Sequence, residues 1–371
     1  MSFVLIIVGL IIARFGANIF VVSEGRGKSI LSAWGLACVC AAFVLSAPTA
    51  YAQSAPAASL PINPPAQIVS QRARVRVSAG NVVTDFGTVI RGTSYLPRYP
   101  DVDRELAIVG RDVLRQKWRS FKTEYGLNAI QIDFRTWSVG SVDPASFTAL
   151  IDLFVDWSAE DGVYLILGYG NKPGTIDAAG LKRFWEVFAP RYKDHTHVIY
   201  ELNNEPAELA LPKWPQATLA LQGKMYGYIR GVAPDTYVIL FSVPNITGGA
   251  KAVDAIRSVR DVDYGNASVG FHWYGGDAQT IEALRRSGYP VICTEFKSQS
   301  ELGAIDYVSL VDRVHKLEAV HAGWIPHQPR IENLGKDFKV AIEAAGISWE
   351  PDFGSWPLSN IQSASARRNT P

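Results

Sequence analysis

From about residue 72 onward, short apolar stretches alternate with longer segments whose apolar residues recur every three to four positions. The first kind reads as buried strands, the second as amphipathic helices. Strands are predicted at Val89–Ser94, Ala129–Arg135, Val163–Tyr169, Val198–Asn203, Tyr237–Ser242, Ser268–Tyr274, Val291–Phe296 and Val320–Ile325. An earlier pair, Arg74–Val77 and Asn81–Phe86, predicts a short hairpin turning at Ala79-Gly80, placed to plug a barrel floor. Between the strands, a helix is expected over Glu105–Tyr125, ended by Gly126. Asp143-Pro144 caps the next one, with proline at the first helical position, and Gly162 closes it. Asp177 starts another, and Gln216–Arg230, Ala250–Arg260, Ala278–Ser287, Ile305–Ala319 and Ile331–Ala345 supply the rest.

The strand-to-strand spacing averages about 33 residues over some 280, the size expected of a (β/α)₈ TIM barrel. An open, doubly wound α/β sheet is the structural alternative. Such a sheet usually carries a glycine-rich phosphate loop after its first strand. Arg91-Gly92-Thr93-Ser94 offers a single glycine, so no dinucleotide site is expected.

Two apolar runs precede this body. Phe3 to Val22 is interrupted by Arg14 and Asn18. The second run, Ile30 to Leu45, follows Arg26 and Lys28 and leads to Ala50-Tyr51-Ala52, a small-x-small cleavage pattern. Basic flank, apolar core and that ending predict a signal peptide cleaved after Ala52 and a secreted or periplasmic domain. The competing reading is a pair of membrane segments tethering the domain outside the cytoplasm, with the Arg26/Lys28 loop inside. The expected organisation is a signal or membrane segment over 1–52 and an Ala/Pro/Ser-rich linker over 53–71. The barrel follows over 72–350, with a polar tail over 351–371.

The 371 residues are 48% hydrophobic and 19% charged, with a formal net charge of +1. Without a Lys/Arg surplus or a basic block, a nucleic-acid partner is not expected. Of three cysteines, Cys38 and Cys40 fall in the N-terminal apolar run, so Cys293 has no intrachain disulfide partner in the body.

Chemistry gathers at the C-terminal ends of the strands, the face that hosts the site in this fold. The second strand ends in Arg135-Thr136-Trp137, the third in Tyr169, and the fourth in Asn204-Glu205. His272-Trp273-Tyr274 ends the sixth, Glu295 the seventh, and Trp324 the eighth. Taken singly, Glu205 could cap the next helix, and each tryptophan could pack in the core. Glu295 is harder to assign to structure: a carboxylate at the end of an apolar strand has to be hydrogen-bonded or functional. Parity puts Cys293 on its face, as a small buried hydrophobe. Glu201 and Asp133, earlier on their strands, read as buried polar residues facing inward. The six histidines show no metal-ligand spacing, although His327 joins His272 at this rim, and no metal or cofactor is expected. Two glutamates facing each other across a barrel mouth are the pair that glycoside hydrolysis needs.

Val198-Ile-Tyr-Glu-Leu-Asn-Asn-Glu-Pro206 resembles the fourth-strand signature of glycoside hydrolase family 5, the cellulase-like family of retaining barrels. The resemblance extends over roughly Gly80 to Gln328. It implies that Glu205 is the general acid/base, that Asn204 binds the sugar 2-hydroxyl, and that Glu295 is the nucleophile with Tyr274 as its partner. It also implies substrate-binding roles for Arg135, His272 and Trp324, beside which Trp137 and Tyr169 line the rim. The histidine usual after the third strand is missing from Leu167-Gly168-Tyr169-Gly170-Asn171, so Tyr169 or Asn171 is expected in its place. The expected activity is hydrolysis of a β-linked polysaccharide or oligosaccharide by a monomer. A transglycosylase and a non-catalytic carbohydrate-binding barrel are the competing readings.

Overall fold

The computed structural model describes residues 70–350, except 98, 100, 136–142, 171–175, 247, 275–278, 298–306, 328–339, 341–342, 345 and 348–349. Both N-terminal apolar runs, Trp137, Asn171, most of the predicted Ile331–Ala345 helix and the C-terminal tail lie outside the described residues.

Ten strands are described: β1 (Arg76–Ser78), β2 (Asn81–Val83), β3 (Gly92–Tyr95), β4 (Ala129–Arg135), β5 (Tyr164–Gly170), β6 (Val198–Asn204), β7 (Val238–Val243), β8 (Ala267–Trp273), β9 (Val291–Lys297) and β10 (Gly323–His327). Eight α-helices are described among them: α1 (Val102–Val109), α2 (Arg111–Thr123), α3 (Thr148–Asp161), α4 (Ala178–Tyr192), α5 (Gln216–Val232), α6 (Ala250–Arg257), α7 (Gln279–Arg286) and α8 (Tyr307–Ala319). Strands β3 to β10 pair in parallel, each with the next. A bridge between Arg91 and Trp324 joins the last strand to the first and closes a (β/α)₈ barrel. Strands β1 and β2 pair antiparallel through Ser78 and Asn81.

Alternation of side chains sorts the sheet into two layers. Ile90, Ala129, Tyr164, Ile166, Ile199, Tyr237, Ile239, Ile292 and Ile325 face the barrel axis, where Val75 and Val82 join them. The opposite set, including Leu165, Leu167, Tyr200, Leu202, Leu240 and Phe296, packs against helix residues such as Trp118, Phe154, Phe184 and Trp185.

Most predicted elements shift by one to three residues, and two differences have clear causes. The expected Glu105–Tyr125 helix is two helices, because Gly110 adopts φ 87° and cannot continue the α-helical path. The last strand starts at Gly323 rather than Val320, because α8 ends at Ala319 and His321 takes the left-handed region at φ 51°. Local signals held where capping is chemical. Asp143 accepts from the Ala145 amide at 3.1 Å and opens a 3₁₀ turn, Pro144–Phe147, that runs into α3. Asp177 accepts from the Gly180 amide at 2.8 Å and starts α4.

The end of the barrel away from the strand C-termini is held by a buried charge cluster. Arg72 pairs with Glu350 at 2.8 Å and with Asp85 at 2.7 Å, and its guanidinium lies 4.4 Å from the Tyr164 ring centroid. Glu350 also accepts from Thr84 at 2.7 Å, from Asn128 at 3.2 Å and from Lys122 at 3.3 Å. Burial alone would raise the Glu350 pKa, but Arg72 and Lys122 outweigh it and hold the carboxyl down at about 2. This cluster ties residues 72–88 and residue 350 to one point on the barrel.

Removing one member strands buried cations, so Glu350→Ala is expected to cost about 3–5 kcal/mol of stability at neutral pH. The carboxyl pKa is depressed in the fold, so its contribution is full above about 4.5 and is lost as pH falls toward about 2. Urea midpoints across that range are therefore expected to converge for variant and wild type as pH falls. A gap that stays constant with pH would contradict the charge cluster's role.

Candidate active site

The mouth of the barrel is built from the ends of β6, β8, β9 and β10. Val198 to Leu202 form a fully buried strand, and the chain then releases Asn204, Glu205 and Pro206 at its C-terminal end. Glu205 sits at φ 41°, in the left-handed region, one residue before a proline that disfavours ordinary helical backbone. A non-glycine residue held there costs about 1 kcal/mol or more, and such strain concentrates at functional sites.

His272 is fully buried at the end of β8, and its Nδ1 lies 2.6 Å from Glu205 Oε1 and 3.8 Å from Glu295 Oε1. Glu295, 6% exposed, accepts a hydrogen bond from the Tyr274 hydroxyl. On its other side His327 Nδ1 lies 3.1 Å from Glu295 Oε2. Ligand atoms of Glu205, His272 and Glu295 all lie within 4.8 Å of one another, close enough for the charge on each to bias the protonation of the others. Burial alone would lower the His272 pKa. The charge of Glu295, the hydrogen bond to Glu205 and the charges of Glu205 and Glu201 reverse this, leaving it raised above 6.5.

Asn204 is 4% exposed, and its Oδ1 is buried without a hydrogen-bond partner among the described residues. Arg135 ends β4, its backbone in register with Gly170. Arg313 donates to the Trp273 carbonyl and lies 5.7 Å from the centroid of that ring, holding the end of β8. The loop after β6 is anchored by buried Leu211 and by Trp214 against Phe241, leaving Leu209 exposed.

The structure separates two expected residues from this cluster. Trp324 is fully buried in the layer between sheet and helices, and its indole donates to Glu318 of α8 at 2.7 Å. Tyr169 faces the same outer layer, packs on Phe184 and donates to Asp177 at 3.0 Å. Parity explains both. Ile325 takes the inward position on β10, and Gly168 and Gly170 take it on β5. Two residues after Ile325, His327 keeps the inward position and lies beside Glu295. His327 stands at the end of β10 where Trp324 was expected. Its sequence signal was only its place one residue after a proline, at the end of an apolar strand.

Cys293 also lies in the outer layer, not on the face of Glu295. A register shift between Phe271 and His272 pairs Cys293 with Phe271 but Glu295 with His272, which breaks the alternation. Burial pushes its thiol pKa up, and it behaves as a small hydrophobe. Glu201 and Asp133 are buried as expected of inward polar residues, and Glu201 accepts hydrogen bonds from Gln131 and Ser242.

Residues 109–327 match the family model described as Cellulase (glycosyl hydrolase family 5). Endoglucanase MaCel5A of Microbulbifer sp. (strain ALW1) is 25% identical over 275 residues, which is 69% of this chain and 49% of that protein. Endoglucanase E-5 of Thermobifida fusca is 25% identical over 242 residues, 60% of this chain and 50% of that one. The chain thus spans about half the length of these relatives. Among solved structures, the β-glucanase SdGluc5_26A of Saccharophagus degradans superposes with a TM-score of 0.54 at 16% identity, covering 75% of this chain and 95% of that one. A Thermobifida fusca endoglucanase catalytic domain solved with cellotetraose gives 0.52 at 18% identity, covering 80% and 97%. These likenesses agree on the barrel, and with the family match over 109–327 the chain belongs to glycosyl hydrolase family 5.

Proposed function

We propose that this protein is a retaining β-glycanase that cleaves a β-linked glucan inside the chain, with Glu295 as nucleophile and Glu205 as acid/base. One observation carries the reading: carboxylate oxygens of Glu205 and Glu295 approach within 4.8 Å, with the same imidazole against both. That approach of one oxygen from each group fits the retaining arrangement, about 5–5.5 Å between carboxyl groups, better than the wider inverting one.

In the first step Glu295 attacks the anomeric carbon as Glu205 gives its proton to the departing glycosidic oxygen. In the second, Glu205 takes a proton from water, which displaces the sugar from Glu295. Tyr274 and His327 hold the Glu295 carboxylate from two sides, orienting it for attack. His272 shares its proton with Glu205, so the charge on Glu295 and that on the acid/base are linked through one buried ring. The Asn204 amide lies next to the acid/base, suited to a sugar hydroxyl. Arg135 ends β4 and Trp137 follows two residues later in the sequence, and both are assigned to substrate binding on that placement.

The substrate class rests on the endoglucanase relatives and on the β-glucanase and cellotetraose-bound barrels of the same fold. Export past the cytoplasm is supported by the basic flank, the apolar Ile30–Leu45 run and Ala50-Tyr51-Ala52. Among the described residues no helix is long and apolar enough to cross a membrane.

Glu295→Gln is expected to reduce sugar release from soluble β-glucans at least about a thousandfold with an unchanged circular dichroism spectrum. Near-normal turnover in that variant would remove Glu295 from the mechanism. His272 is expected to titrate above 6.5 in histidine-labelled NMR, and Glu295→Gln to bring that titration down by removing the largest charge that raises it. A His272 titration indifferent to Glu295 would show that the three groups are not coupled.

A further inference from the structure

One layer below the two catalytic carboxyls, a belt of hydrogen-bonded polar side chains crosses the barrel interior. Gln131 of β4 donates through Nε2 to Glu201 Oε2 on β6. Ser242 of β7 donates to Glu201 Oε1, and its hydroxyl lies 2.8 Å from Thr294 Oγ1 on β9. Glu201, Ser242 and Thr294 are completely buried, and Gln131 is 3% exposed. Beneath the belt lie the inward apolar side chains Ile199, Ile239 and Ile292.

The belt skips two strands, and each carries a glycine where it passes. On β5, a Cβ at Gly168 would stand 3.2 Å from Glu201 Oε2. On β8, a Cβ at Gly270 would stand 3.0 Å from Ser242 Oγ and 2.8 Å from the Phe241 carbonyl oxygen. A side chain on β8 at this level would close the path by which Ser242 of β7 reaches Thr294 of β9.

The ends of the chain matter most. Glu201 is on the strand that carries Glu205, and Thr294 is the residue before Glu295. Strands β6 and β9 are not neighbours, because β7 and β8 lie between them. Backbone pairing therefore fixes the distance between the two glutamates only through three successive strand contacts, and register shifts interrupt two of them. The Glu201–Ser242–Thr294 chain spans the same gap directly through side chains.

We propose that Glu201, Ser242 and Thr294 are positioning residues, a crossbar that sets the separation of Glu205 and Glu295. The assignment of those two as catalytic rests on the function proposed above; the distance they keep does not. The buried Glu201 carboxyl has Asp133 as its acidic neighbour and His272 as its basic one. Burial pushes its pKa up, the Ser242 hydrogen bond opposes that, and the Asp133 charge adds to the rise, so the hydrogen bonds of the belt are what make a buried carboxyl tolerable there.

The test is the isosteric Thr294→Val variant beside Thr294→Ser, each compared with wild type by crystal structure and by steady-state kinetics on a soluble β-glucan. Without the Thr294 hydroxyl, the Glu205–Glu295 separation is expected to change by about 0.5 Å or more. kcat is expected to fall about tenfold to a hundredfold with KM within about twofold, and Thr294→Ser to restore both distance and kcat. Ser242→Ala breaks the chain at its middle and is read in the same way if Thr294→Val does not fold. A separation that stays at the wild-type value in the variant that folds overturns the crossbar, whatever the rate. If wild type itself releases no sugar from any β-glucan, the proposed function fails, and the crystallographic distance alone still decides the crossbar.

Discussion

Two carboxyl groups are held within 4.8 Å of each other, and a buried imidazole lies against both. Two full negative charges at about 5 Å would repel by roughly 3 kcal/mol in a partly screened protein site. The arrangement persists because positive charge on His272, hydrogen-bonded to Glu205 and 3.8 Å from Glu295, offsets that repulsion, and because both glutamates stand at strand ends. Most of what surrounds the site serves that constraint. Tyr274 and His327 grip Glu295 from either side, and the strained backbone at φ 41° aims Glu205 across the mouth.

The barrel makes such a pair tolerable by separating stability from chemistry. Stability comes from the outer layer of aromatic and aliphatic contacts and from the Arg72–Glu350 cluster, at the opposite strand ends from the mouth that holds Glu205 and Glu295. Between the apolar inner layer and the mouth lies the polar belt that runs through Glu201. Its presence explains why β6 carries a buried glutamate four residues before Glu205. It also explains why β5 and β8 carry glycine at Gly168 and Gly270, where side chains from other strands pass over them.

The fold was legible because strand and helix periods alternate cleanly, and capping residues such as Asp143 and Asp177 mark starts that hydrogen bonds then realise. The core of the site was legible too, since Asn204-Glu205-Pro206, His272-Trp273-Tyr274 and Glu295 each stand at a strand end. What escaped the sequence was the direction of side chains near register shifts. Period-2 reasoning assumes an unbroken ladder, and β9 breaks its ladder against β8 just below the mouth. That is why Cys293 and Glu295 fall on different faces, whereas on β10 the inward positions are Ile325 and His327 and Trp324 before them faces the helices. Tyr169 was misplaced for a simpler reason: the inward positions on β5 are glycines, and the tyrosine between them faces out.

Family membership places this chain among barrels whose named relatives are endoglucanases, and the geometry of the mouth supports the same chemistry here. The proposed mechanism requires Glu295 to become covalently bonded to the sugar. Incubation with a 2-deoxy-2-fluoro cellobioside bearing a good leaving group, followed by peptide mass spectrometry, tests it most directly. A stable disaccharide adduct is expected on the peptide containing Glu295, and on no other acidic residue. A sugar attached elsewhere, or turnover that retains configuration with no adduct at all, would contradict it.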